Sequence, residues 1–197
     1  MNRQSPTFRR GDLQVARKGS DLGQSPPTRK RIRLPTYAYI GPAAFSITIA
    51  TAQRAPTFQH RSAVDMCLAA LSETAARHSL KVLAYCFMPD HLHLLVEANQ
   101  GANLIRFMKA FKQVTSFRYK KQTGRPVWQK GYYDHILRDD EHVLDVAAYI
   151  LGNPVRQGLA ASVGDYPFCG GELAAGDLKV APTPSHGPAG GTSLLGG

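Results

Sequence analysis

Cysteine is scarce in this chain, and the three present, Cys67, Cys86 and Cys169, stand far apart without a C-x-x-C pair. That excludes a zinc ribbon built on paired thiolates and a secreted scaffold held by dense disulfides, and makes a reducing cytoplasm the simplest setting. Long apolar runs are missing as well, so no segment reads as a membrane span. The N-terminal stretch carries basic residues without the apolar core of a secretion signal. Acidic residues are few: 14 Asp and Glu against 24 Lys and Arg leave a formal net charge of +10 and a sequence pI near 9.8. Such an imbalance speaks to association rather than fold, and it points to a polyanionic partner, nucleic acid first.

What is present divides into three parts. Residues 1–34 hold nine basic residues against Asp12 and Asp21, about two thirds of the whole excess, and are polar and Pro-rich. Residues 170–197 are dominated by Gly, Ala, Pro and Ser. Neither stretch can bury enough apolar surface to order itself, so the expectation is a disordered basic arm, one folded domain over 35–169, and a disordered tail.

Within the domain, Ala44 to Ala50 alternates and reads as a strand, and residues 62–78 place Val64, Cys67, Leu68, Leu71 and Ala75 at helical spacing. Two strands follow near 81–88 and 91–98, with Pro89-Asp90 as their turn. A helix over about 103–121 has Leu104, Phe107, Met108, Phe111 and Val114 on one face. Its remaining surface carries Arg106, Lys109, Lys112, Arg118, Lys120 and Lys121 without an acidic residue, a single-sign face suited to phosphate contact. A strand-like stretch from Val127 to Arg138 and a last helix beginning near Asp139-Asp140-Glu141 complete the order. That order predicts an α+β fold, a ferredoxin-like or RRM-like sandwich with helices packed on an antiparallel sheet.

The candidate site begins with His91 and His93. Side chains two apart on a strand share a face, so two imidazoles project together while Leu92, Leu94 and Val96 face the core. Paired imidazoles on a rigid support suit a divalent metal. Glu97 has the same parity and completes part of a cupin-like H-x-H-x-x-x-E pattern, but the glycines that pattern expects are replaced: Tyr85 stands six positions before His91, and the next glycine is Gly101. On the last helix Tyr149 and Asn153 lie four residues apart, slightly off the apolar stripe. Asn153 precedes Pro154, which predicts a place at the helix end and a capping role.

Three stretches then occur in order: Tyr85-Cys86-Phe87-Met88-Pro89-Asp90-His91-Leu92-His93, Trp128-Gln129 with Tyr132-Tyr133-Asp134-His135, and Tyr149-Ile150-Leu151-Gly152-Asn153-Pro154-Val155-Arg156-Gln157-Gly158-Leu159. Together they resemble a REP-associated tyrosine transposase, of the single-tyrosine HUH transposase superfamily, over roughly residues 35–168. The resemblance implies a ferredoxin-like catalytic domain that holds Mg²⁺ or Mn²⁺ and cuts one strand of single-stranded or hairpin DNA through a 5′-phosphotyrosyl link. Carried across motif by motif, it makes His91, His93 and Asn153 the metal ligands and Tyr149 the nucleophile. Trp128 and Tyr132, with Tyr133, become candidates for stacking on unpaired bases. It also implies a cytoplasmic, nucleoid-associated protein, and leaves monomer against homodimer open. Two other readings remain: a protein of the same fold that has lost cleavage and acts as a repressor or RNA binder, and a cupin-like metal hydrolase that uses Glu97.

Overall fold

Alternation of Phe45, Ile47 and Ile49 with Ser46 and Thr48 produces β1, Ala43–Ala50, in which the first set is fully buried. The computed structural model describes residues 36–138 and 141–174; the arm expected over 1–34 and most of the expected tail lie outside the described residues. After β1 come α1 (Arg61–Arg77), β2 (Leu80–Met88) and β3 (His91–Ala98), the two strands joined by Pro89-Asp90. Helix α2, Leu104–Thr123, starts where Asn103 Oδ1 accepts the Arg106 N–H at 3.0 Å, an N-cap, and ends at Gly124 in the left-handed region. Then follow β4 (Tyr133–Ile136), α3 (Val143–Leu151), α4 (Asn153–Arg156) and the short β5 (Cys169–Gly170).

The strands form one sheet in the order β4-β1-β3-β2-β5 with every pairing antiparallel. Its first four strands, with α1 and α2 as the crossovers, make the expected ferredoxin-like α+β arrangement. Among the described residues no helix is long and apolar enough to cross a membrane.

The sheet has two differently covered faces. Phe45, Ile47, Ile49, Phe87, Leu92, Leu94 and Val96 pack against Val64, Cys67 and Leu71 of α1 and Phe107, Met108 and Phe111 of α2 in the main core. Burying side chains of this size contributes about 1.5–3 kcal/mol each, so this face carries most of the stability. On the opposite face Ala84, Cys86, Met88 and Leu95 pack against Ala147, Ile150 and Leu151 of α3 in a smaller cluster. His91 and His93 share parity with Leu95, which puts them on the α3 side.

Three local expectations are corrected. The stretch 127–138 is not one strand: Trp128 makes an isolated bridge to Thr51, and the chain leaves the sheet before re-entering at β4. Lys112 Nζ holds it there by donating to the carbonyls of Gln129 and Gly131, at 3.0 and 2.6 Å. The last helix begins at Val143, because Glu141 binds His135 Nε2 and the Arg138 N–H instead of opening the helix. Order also extends past 169. At Gly171, φ is +121° and a Cβ would stand 2.5 Å from the Leu83 carbonyl oxygen, so only glycine lets the chain pass this close to β2.

Candidate active site

His91 and His93 face each other with Nε2 atoms 3.0 Å apart, their rings nearly perpendicular at 85°. Each imidazole is held from behind. His91 Nδ1 lies 2.5 Å from Asp90 Oδ1, and His93 Nδ1 lies 3.1 Å from Thr48 Oγ1 on the neighbouring strand. An ionised carboxylate only accepts, so His91 carries a proton on Nδ1, which leaves Nε2 as the nitrogen that faces His93. A hydroxyl both donates and accepts, so Thr48 suits His93 with the proton on either nitrogen.

Asp90 is itself positioned. Arg54 Nη1 reaches Asp90 Oδ2 at 3.2 Å from a turn in which Gln53 and Arg54 both have positive φ, at 56° and 55°. The buried Thr51 hydroxyl steadies that turn, its one proton lying between the carbonyls of Ala55 and Asp90, at 2.7 and 2.9 Å from Oγ1. Burial works to raise the Asp90 carboxyl, but its bond to His91 and then its contact with Arg54 outweigh this and hold it below its ordinary value. His93 is pushed down to about 4, first by burial, then by His91 and by the charge of Arg156, against the opposing pull of Asp90. It is therefore neutral near pH 7, the state a metal ligand needs.

Tyr149 stands on α3, 58% exposed, between residues that anchor the helix. Its carbonyl accepts from Arg156 Nη2, and the Arg156 guanidinium carbon lies 4.0 Å from the centre of its ring. Arg156 Nη2 also donates to Asn153 Oδ1 at 2.8 Å. The helix breaks between α3 and α4 because a proline ring at 154 cannot be accommodated inside a continuing helix, whereas it fits the first turn of a new one. Asn153 thus opens α4 and caps nothing with its side chain. It is 6% exposed, and its Nδ2 is buried without a partner.

These residues can be tested as a metal centre by their own chemistry. Two imidazole nitrogens about 2.1 Å from one ion and at right angles to each other stand about 3.0 Å apart, which fits the His91–His93 spacing. Their Nδ1 atoms are oriented by a carboxylate and a hydroxyl, the outer support that metal-binding imidazoles use. Among the described residues no third His, Cys, Asp or Glu joins them. A third protein donor would come from an amide, and Asn153 Oδ1 retains one lone pair beyond the one taken by Arg156.

The other expected residues fall elsewhere. Trp128 is a core residue, 7% exposed, with its ring beside Phe58 and Phe111 and its Nε1 donating to Thr115 Oγ1 at 2.8 Å, so it has no open face for a base. Tyr132 is half-buried against the main core. Tyr133 is 68% exposed and pairs with Thr48, which pairs with His93, so it stands on the site's own face in line with them. Glu97 ion-pairs with Lys81 at 3.6 Å and lies roughly 20 Å along the strand from His91, which removes the cupin-like arrangement. Helix α2 packs on the sheet face away from the histidines; there Arg106, Lys109, Lys120 and Lys121 are exposed, while Arg118 pairs with Glu73 at 3.0 Å. Thr48, Asp90 and Arg156 were not singled out by sequence. Asp90 beside His91 was the only one with a local signal, since the others depend on register or on a turn of chain.

The sequence profile described as "Transposase IS200 like" matches residues 43–153, more than half of the chain and a span holding both histidines, Tyr149 and Asn153. The chain belongs to the IS200-like transposase family. A Haemophilus influenzae protein classed with the REP-associated tyrosine transposases is 29% identical over 111 residues, covering 50% of this chain and 63% of that protein. The Escherichia coli REP-associated tyrosine transposase is 24% identical over 89 residues, 45% of this chain and 52% of its own length. This family member therefore spans less than two thirds of both of these relatives. Among solved structures, the REP-associated tyrosine transposase bound to a REP hairpin has the same fold, with a TM-score of 0.58 at 20% identity, over 66% of this chain and 78% of that one.

Proposed function

We propose that this protein is a metal-dependent DNA transposase that cuts and rejoins one strand at hairpin-associated sites through a tyrosine. The observation that carries the reading is the His91–His93 pair, two Nε2 atoms 3.0 Å apart with both Nδ1 atoms fixed, in a transposase-family chain whose overlying helix exposes a tyrosine. His91, His93 and Asn153 Oδ1 would hold Mg²⁺ or Mn²⁺. When bound, such an ion withdraws charge from a phosphate and makes its phosphorus more electrophilic.

Tyr149 supplies the nucleophile. Its oxygen bonds to phosphorus, the bond from phosphorus to the 3′ oxygen breaks, and the phenol proton passes to solvent while the leaving oxygen takes one up. The protein is then joined to the 5′-phosphate. Attack by a free 3′-hydroxyl reverses the exchange and transfers the strand without ATP, because one phosphodiester bond replaces another. An open cleft of about 380 Å³ beside His91, lined by Met88, Pro89, Asp90, Gln157 and Leu159, gives an unpaired strand a way in. Tyr133 offers a ring for an unpaired base, and the exposed cations of α2 serve flanking backbone on the far side of the sheet.

The test incubates wild-type and Tyr149→Phe protein with end-labelled hairpin DNA in Mg²⁺, Mn²⁺ or chelator, followed by denaturing electrophoresis. A metal-dependent covalent adduct on the DNA 3′ of the cut, absent from the variant, is the expected result. Tight binding without an adduct across hairpins and metals would replace the reading with a binding-only protein.

A further inference from the structure

We propose that Arg156 binds the backbone phosphate that Tyr149 attacks, with the Asn153 amide beside it, so that one guanidinium positions both nucleophile and target. The inference deepens the function proposed above and rests on it for the identity of the DNA strand.

A guanidinium has five N–H donors. Here the donations are both from Nη2, to the Tyr149 carbonyl and to Asn153 Oδ1, and no carboxylate among the described residues pairs with Arg156. Two neutral oxygens and an aromatic ring leave its charge uncompensated. Next to it Asn153 Nδ2 is a buried donor with no acceptor, a costly state for an amide. Arg156 is exposed, so the free edge of its fork faces solvent beside an amide that has no acceptor, and the partner that such a pair of donors suits has the chemistry of an oxyanion. A phosphodiester suits the planar fork, which takes two oxygens side by side.

The position of the fork is built into the chain. Gly152 lies under it, and a Cβ there would come within 2.9 Å of Arg156 Nη1. The bare Cα lets the guanidinium fold back over the Tyr149 ring, 4.0 Å from its centre. A phosphate on the free edge of the fork would lie alongside that ring. Helix α3 packs on the sheet face that carries His91 and His93, so tyrosine, fork and histidines share one side of the sheet.

Two measurements test this. In a Tyr149→Phe background, which prevents cleavage, single-stranded hairpin DNA is bound at several salt concentrations with Arg156 or Arg156→Ala. Loss of one phosphate contact is expected to flatten the log–log salt slope by about 0.7. With Tyr149 present, Arg156→Lys keeps the charge without the fork and should slow adduct formation about 10- to 100-fold. Gly152→Ala is the second variant. Its backbone is ordinary for alanine; its Cβ meets the flexible end of Arg156 at 2.9 Å and the Ala148 carbonyl oxygen at 3.1 Å, so thermal melting should show a fold retained with a small loss of stability while the adduct is slowed comparably. An unchanged slope together with wild-type adduct rates in Arg156→Lys and Gly152→Ala would overturn the proposal. A flattened slope without any adduct from wild type would instead retain the phosphate site and reject strand cleavage.

Discussion

Thr48 Oγ1 stands 3.1 Å from His93 Nδ1, across the register that pairs β1 with β3. A hydroxyl at this point lets His93 keep a free lone pair at Nε2 with its proton on Nδ1, and no apolar side chain can do so. Thr48→Val keeps the shape and removes that partner. Mn²⁺ affinity measured by calorimetry should fall about 10- to 100-fold while the fold persists. An unchanged affinity would mean that packing alone orients the ring.

The pH response of His93 follows from its depressed value. Unfolded, its imidazole takes up a proton near pH 6.5; folded, it does so only at about 4. Between these values the unfolded chain binds more protons, so this residue makes the fold less stable as pH falls from about 6.5 to about 4, with no further loss below. In chelator, the His93 ring resonance should titrate near 4, and the melting temperature of His93→Asn should fall less over that window than that of wild type.

Trp128 and Tyr133 should separate stability from DNA binding. Trp128→Phe removes a buried N–H that serves Thr115 and part of a packed ring, costing about 1–3 kcal/mol in denaturant unfolding with no change in DNA affinity. Tyr133→Ala lies at an exposed position and should change stability by less than about 0.5 kcal/mol. Its affinity for single-stranded DNA should drop by roughly 1–3 kcal/mol if it stacks on one base. The reverse pattern would assign the stacking elsewhere.

Asn153→Asp keeps the oxygen 2.8 Å from Arg156 and turns the amide that carries it into a carboxylate. The new charge neutralises the guanidinium but remains a good oxygen donor for a cation. Mn²⁺ binding should be retained or strengthened, and DNA affinity should fall by roughly tenfold. Loss of both together would point to a structural role for the amide.

The elements governed by local pattern were legible in the sequence. Alternation in Ala43–Ala50 and His91–Ala98 gave the strands, the apolar spacing of α1 and α2 gave the helices, and parity alone brought His91 and His93 together. Relations between elements were not. Thr48 meets His93 only through the β1–β3 register, and Trp128, in a segment as aromatic as Tyr132-Tyr133, is separated from them by a departure from the sheet that alternation does not encode. The basic surface of α2 was readable as a surface, but its side of the sheet depends on where α3 packs.

The neighbours of Tyr149 bear on how a strand would meet it. Ala147 before it and Ile150 after it are buried in the smaller core, and Arg156 grips the Tyr149 carbonyl, so the tyrosine's backbone is moored on both sides. What remains free is rotation about two side-chain bonds, a reach of one ring and one oxygen. The protein arrives at the encounter as the stiff partner, and the adjustment falls to the nucleic acid. Duplex DNA, with a persistence length of about 150 base pairs, bends at considerable cost over a few nucleotides, whereas an unpaired strand turns at each phosphate. Preference for unpaired DNA would then arise without any residue that reads it, from where the compliance lies.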